Sequence, residues 1–191
     1  MKRLAVFASG NGSNFQSITD AIKSGTLEAE ICLVVCDRED AYVLERAKLE
    51  NINLFSFSPK NYANKAEFET EILEKLRQHD VDFIILAGYM RLIGPTLLQK
   101  YSQRIVNIHP SLLPSFPGKD AIGQAFDAGV KETGVTVHYV DDGMDTGPII
   151  AQKTVPILDG DTKDILQKRI QETEHDMYPS VLQQLCQKKL T

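Results

Sequence analysis

Asn107 and His109 lie two residues apart at the end of an apolar run containing Ile105, Val106 and Ile108. In an extended segment that spacing projects both side chains from one face, so an amide donor and an imidazole can converge on one small group. Pro110 and Pro114 forbid the strand to continue and bias His109 and Leu113 toward extended backbone, so the strand must stop at His109. Downstream, the stretch Asp141-Asp142-Gly143-Met144-Asp145-Thr146-Gly147-Pro148 is a turn-rich loop with three carboxylates, of which Asp145 is the candidate partner for the histidine. Two readings stay open from these residues alone: a reactive cluster, or polar groups that satisfy turn backbone where a strand meets a loop.

A second constellation could hold an anion. Gly10-Asn11-Gly12-Ser13-Asn14 follows an apolar run and precedes Phe15, Ile18 and Ile22 at helical spacing, which reads as strand, glycine loop, helix. Ser13 with Gln16 three residues later matches a capping box, placing the helix start at Ser13. Glycines let backbone approach a phosphate, and the helix dipole favours its charge. A tight turn without a ligand is the alternative. On the last helix Gln171 and Glu174 are three apart and could read a polar ligand, or form a solvated face.

These groups need a scaffold, and the hydrophobic pattern supplies one. Apolar strands are expected at residues 3–9, 31–36, 53–57, 81–87 and 105–109, then at 133–140 and 149–155, the last possibly antiparallel because its connection is too short for a crossover helix. Between them, helices are expected from Ser13 to Gly25, at 41–50, 65–78 and 121–128. A long helix follows, begun by Asp161 and Asp164 and kinked or restarted at Pro179. Its buried stripe is expected to include Ile165, Ile170, Met177, Val181, Leu182 and Leu185. Strands buried on both faces and alternating with amphipathic helices imply an α/β, Rossmann-like doubly wound fold, a mainly parallel sheet of about seven strands with helices on both faces. Ligands of such folds gather at strand C-terminal ends, which singles out residues 10–14, 88–93, 107–114 and 141–148. Gly88-Tyr89-Met90-Arg91-Leu92-Ile93 suits a loop that grips a flat ligand through main-chain groups, or one that packs its own apolar residues. His138 reads as a half-buried sheet residue.

Composition bounds the rest. The 191 residues suit a single domain, spanning 1–191, with 42% hydrophobic and 25% charged residues. No apolar run approaches the ~20 residues that cross a bilayer, and Met1-Lys2-Arg3 leads into a stretch too short for a signal-peptide core, so the expected location is the cytoplasm. A net charge of −5 without a long basic run argues against a large nucleic-acid surface and for small-molecule substrates. Cys32 and Cys36, four apart in a strand, would lie ~13 Å from one another, too far to bridge. Neither cysteine nor histidine spacing resembles a zinc site, so no metal is expected. Monomer and homodimer both remain open.

Taken together, Ser9-Gly10-Asn11-Gly12-Ser13-Asn14, the stretch Asn107 to Pro114 and Met144-Asp145-Thr146-Gly147-Pro148 resemble the folate-dependent formyltransferases over essentially the whole chain. The second and third stretches are shared across that family. The glycine loop and chain length point to its purine-synthesis branch. The resemblance implies transfer of the formyl group of 10-formyltetrahydrofolate, a co-substrate, to the amino group of glycinamide ribonucleotide. It implies that Asn107, His109 and Asp145 are catalytic, and that Gly12, Ser13 and Asn14 hold the phosphate with Gln171 and Glu174 reaching phosphate and ribose. Met90, Arg91, Leu92, Ile93, Val140, Asp141 and Asp142 would line the pterin pocket. Residues 1–100 would then form a phosphate-binding half and residues 101–191 a folate-binding and catalytic half.

Two rivals compete with this expectation. Asp37 ends the second strand where a dinucleotide-binding fold keeps its ribose acid, yet the third glycine of that fingerprint is replaced by the bulky Phe15. A non-catalytic nucleotide-binding module is the other, and it leaves Asn107, His109 and Asp145 without a purpose.

Overall fold

A computed structural model describes residues 1–188. The chain forms one seven-stranded sheet from β1 (Lys2–Ala8), β2 (Ala29–Cys36), β3 (Leu54–Ser56), β4 (Phe83–Leu86), β5 (Ile105–His109), β6 (Glu132–Tyr139) and β7 (Ile149–Pro156), in the spatial order β3-β2-β1-β4-β5-β6-β7. The first five strands are parallel, whereas β6 runs antiparallel to β5 and to β7. The order reverses between β1 and β4, the switch point at which loops diverge and a crevice opens. The expected doubly wound architecture is therefore present, with an antiparallel extension on one side.

Both sheet faces are covered. In β1, Leu4, Val6 and Ala8 enter one core, while Ala5 and Phe7 enter the other, the two-residue alternation of a strand buried on both sides. The first core is roofed by α1 (Ser13–Lys23), α2 (Tyr42–Leu49) and α6 (Lys163–Gln187), the second by α3 (Lys65–Gln78) and α4 (Pro95–Lys100). A register shift beside Leu4 and Ala5 breaks the alternation in β2, so Cys32 and Leu33 share a face and Cys36 lies on the opposite one. The short α5 (Ala121–Asp127) packs against α6.

Several local expectations need correction. Ser13 does not cap α1: Gly12 occupies that position with φ 80°, and Ser13 is the first helical residue. The side chain of Gln16 accordingly does not reach back but turns to Asp20 (3.0 Å) and Glu50 (3.4 Å). At the other end of the chain, Thr162 caps α6 by accepting from the Ile165 amide, while Asp161 forms an ion pair with Arg169 (2.6 Å) instead of starting the helix. Ile165 is 48% exposed and Leu166 fully buried in its place. Ile165 and Ile170 are five positions apart, which puts them far apart around a helix, whereas Leu166 and Ile170 are four apart and share a face. The helix runs unbroken past Pro179. Pattern reading also missed α4, six residues of which only Leu97 is buried.

Candidate active site

One cavity of about 930 Å³ gathers residues from every predicted site stretch. Its volume is at the upper end of the ~300–1,000 Å³ typical of small-molecule sites. Among its lining residues are Gly12, Ser13, Asn14, Met90, Arg91, Leu92, Ile93, Asn107, His109, Val140, Asp141, Asp145, Gln171 and Glu174. Asp142 is the exception: it is exposed and outside the lining. Asp141 takes the inward place, its Oδ1 accepting from the Gly143 amide (3.0 Å) and the Thr146 hydroxyl (2.6 Å). These bonds, the hydroxyl first, hold its carboxyl below the usual pKa.

Asn107, His109 and Asp145 come together at the β5–β6 seam. Because β6 is antiparallel, Tyr139 pairs with Val106, and the loop leaving β6 must double back to carry Asp145 to His109 at the other end of β5. Asp145 adopts a left-handed backbone, φ 56°, uncommon for a residue with a side chain but tolerated by aspartate. Its Oδ2 accepts from the Gly118 amide (2.8 Å) and lies 3.5 Å from His109 Nδ1, while its Oδ1 lies 3.8 Å from His138 Nε2. His109, 6% exposed, places its Nε2 2.9 Å from the Phe116 carbonyl, so that nitrogen carries a proton and donates.

His138 lines the cavity, a placement that sequence reading undervalued. It pairs across the strands with Asn107 and is almost fully buried. Its Nδ1 donates to the Tyr139 carbonyl (2.8 Å), which leaves Nε2 as an acceptor for Asn107 Nδ2 at 3.4 Å. Burial lowers its pKa, consistent with a neutral ring. Only the strand register, invisible in a linear sequence, brings it opposite Asn107.

At the glycine loop, Gly12 tolerates no side chain. Besides its positive φ, an added Cβ would lie 2.6 Å from Val43 Cγ2 on α2. The first intrahelical bond runs from the Gln16 amide to the Gly12 carbonyl (2.9 Å), so the amides of Ser13 and Asn14 precede the ladder at a helix end whose dipole favours an anion. Arg46 braces this loop from behind, donating to the Asn11 carbonyl (2.8 Å) and the Asn11 side chain (2.9 Å). From α6, Gln167, Gln171 and Glu174 face the cavity at helical spacing. Glu174 is 8% exposed, lies beside Asn14, and has its pKa pushed up to about 7 by burial. The solvated-face alternative for this pair therefore does not hold. Tyr178, one turn further, donates to the carbonyls of Leu86 (2.8 Å) and Val106 (3.2 Å) and pins α6 to the sheet.

A family model described as formyl transferase matches residues 2–182. The chain belongs to the formyl transferase family. Among curated members, it is 60% identical over 185 residues to the phosphoribosylglycinamide formyltransferase of Bacillus subtilis, covering 97% of this chain and 95% of that protein. It is 40% identical to the enzyme of the same name from Haemophilus influenzae, covering 100% of this chain and 90% of that one. The crystal structure of glycinamide ribonucleotide transformylase 1 from Geobacillus kaustophilus superposes with a TM-score of 0.95 at 64% identity, covering 97% and 98% of the two chains.

Membership of this family also disposes of the dinucleotide rival, and Asp37 shows why in physical terms. Both of its oxygens are consumed internally, by Ser9 Oγ and by Arg91 Nε, and its side chain is only 4% exposed. Both halves of the expected division at residue 100 line the same cavity. The glycine loop and the loop 88–93 both come from the first half, while Gln171 and Glu174 come from the second. Residues 189–191, included in that second half, lie outside the described residues. Among the described residues, no group of three or more histidines, cysteines or acids is arranged to hold a metal, and no helix is long and apolar enough to cross a membrane.

Proposed function

We propose that this protein transfers the formyl group of 10-formyltetrahydrofolate to the amino group of glycinamide ribonucleotide, yielding formylglycinamide ribonucleotide and tetrahydrofolate in purine biosynthesis. The observation that carries the reading is the content of one cavity: an uncapped helix end, an amide–imidazole–carboxylate cluster and a loop with exposed apolar side chains, Met90 and Leu92. Each part suits one piece of the chemistry. The helix end at Gly12 to Asn14 suits a phosphate, and Gln171 and Glu174 suit ribose hydroxyls. Met90 to Ile93, with Val140 and Asp141, suit a flat heterocycle that is partly apolar and partly hydrogen-bonding.

In this mechanism the neutral amine attacks the formyl carbon and the carbonyl oxygen becomes an oxyanion. Asn107 donates to it through the amide hydrogen that His138 does not take. His109 donates in turn once its Nε2–H is drawn from the Phe116 carbonyl to the oxyanion, since catalytic hydrogen bonds often tighten only when substrate is present. Asp145, its Oδ2 3.5 Å from Nδ1, orients the imidazole. Collapse of the tetrahedral species re-forms the carbonyl and breaks its bond to the folate nitrogen. One proton leaves the attacking nitrogen through a water at Asp145, and one reaches the departing nitrogen, so charge balances without a covalent enzyme intermediate.

A two-ligand titration tests this directly. Wild-type protein is expected to bind glycinamide ribonucleotide and a folate. Ser13→Asp should weaken the ribonucleotide by like-charge repulsion at the helix end and leave folate affinity nearly unchanged. Tight NAD binding without folate binding, or equal loss of both ligands in the folded variant, would contradict the reading.

A further inference from the structure

The loop Gly88 to Gly94 is held from beneath by a polar chain rooted in two residues outside the cavity lining, Ser9 and Asp37. Asp37, at the end of β2, accepts from Ser9 Oγ (2.5 Å) with one oxygen and from Arg91 Nε (2.7 Å) with the other. The Ser9 hydroxyl oxygen in turn accepts from the Met90 amide (2.9 Å), and the Ser9 amide donates to the Gly88 carbonyl (3.0 Å). Ser9 and Asp37 are both buried and neither lines the cavity. The far end of the loop is tied separately: Glu69 accepts from the Gly94 amide (2.8 Å), and Lys65 donates to the Leu92 carbonyl (2.8 Å).

A buried carboxylate is costly unless its oxygens are satisfied, so Asp37 specifies one arrangement of its partners. That arrangement fixes three successive loop groups against two strands: the Gly88 carbonyl, the Met90 amide and the Arg91 guanidinium. The Met90 amide is thereby turned inward to Ser9, and the Arg91 side chain is drawn to Asp37. The remaining main-chain groups and the exposed Met90 and Leu92 side chains are left to meet a ligand.

We propose that Asp37 is a positioning residue for the formyl donor, acting through Ser9 and Arg91 to preset the loop that receives the pterin. This rests on the folate reading of that loop given above. It assigns to Asp37 a role in affinity for one substrate only, because the chain touches the folate loop through side chains and reaches the nucleotide loop only through the backbone of Ser9.

The experiment measures the affinities of wild-type protein, Asp37→Asn, Ser9→Ala and the double variant for a reduced folate and for glycinamide ribonucleotide. It also follows Met90 amide hydrogen exchange without ligand. Each single variant should bind folate about 10- to 100-fold more weakly, the range for losing a hydrogen bond to a charged group. Ribonucleotide affinity should stay within about twofold, Met90 exchange should accelerate, and the double variant should be no worse than the weaker-binding single, since both act through one chain. Ser9→Ala removes only a hydroxyl and decides alone if Asp37→Asn does not fold. Unchanged folate affinity in the folded variants, additive losses, or equal loss of both ligands overturns the positioning role. Failure of wild-type protein to bind folate overturns the functional reading, and this inference with it.

Discussion

Asn107 and His138 face one another across the antiparallel β5–β6 pair, the amide Nδ2 3.4 Å from an imidazole nitrogen that can only accept. This contact fixes which end of the amide turns toward the histidine and leaves its second N–H for a ligand. His138→Ala should therefore lower kcat about tenfold, the worth of one modest hydrogen bond, with little change in either KM. Steady-state kinetics with each substrate varied checks this. A fall in affinity alone would instead make His138 a packing residue.

Charge and geometry at Asp145 can be separated. In Asp145→Asn the side-chain oxygen can still accept from the Gly118 amide, but no carboxylate faces His109. Turnover should fall by roughly 100-fold or more while the fold persists, and a comparable loss is expected for His109→Ala. Near-normal turnover in either variant would return these residues to a structural role.

Gly12 carries two independent constraints, a left-handed backbone and the approach of Val43. Gly12→Ala should cost about 1–3 kcal/mol of stability and weaken ribonucleotide binding. Adding Val43→Ala should relieve the steric part only, so the combined variant should be less destabilised than the sum of the two single changes. Urea titration measures both.

Glu174 gives a pH-dependent test with a definite sign. Burial raises its pKa from 4.5 to about 7, so between those values the folded state binds more protons than the unfolded state. Its contribution is intact below pH 4.5 and is lost as pH rises through 7. That loss is on the order of 3 kcal/mol. Glu174→Gln, which does not titrate, should gain stability relative to wild type as pH rises from 5 to 8 while binding the ribonucleotide less well. Thermal melts across that range would show a pH-independent difference if the carboxyl were not buried in this way.

The fold was legible where one signal dominates. Apolar runs at β1, β2 and β4 and the amphipathic stripes of α1 and α3 need no tertiary information, and neither does the arrest of β5 by Pro110. The site was legible where spacing along one strand suffices, as for Asn107 and His109. What stayed hidden depends on contacts between elements. His138 gains its partner from strand register, Arg46 reaches Asn11 from a different helix, and Tyr178 reaches the carbonyls of β4 and β5 through the core. Asp37 was visible as an acid at a strand end, but its commitment to Ser9 and Arg91 could not be read from position. The capping box at Ser13 misled because Gly12, with its left-handed backbone, takes the cap position and leaves Ser13 as the first helical residue.

The most direct test supplies the protein with 10-formyltetrahydrofolate labelled in the formyl carbon, with glycinamide ribonucleotide or with water alone, and follows both products. The expected result is label in formylglycinamide ribonucleotide in one-to-one yield with tetrahydrofolate, and little folate release without the amine. Folate release at the same rate with water alone, and no labelled ribonucleotide, would contradict the account.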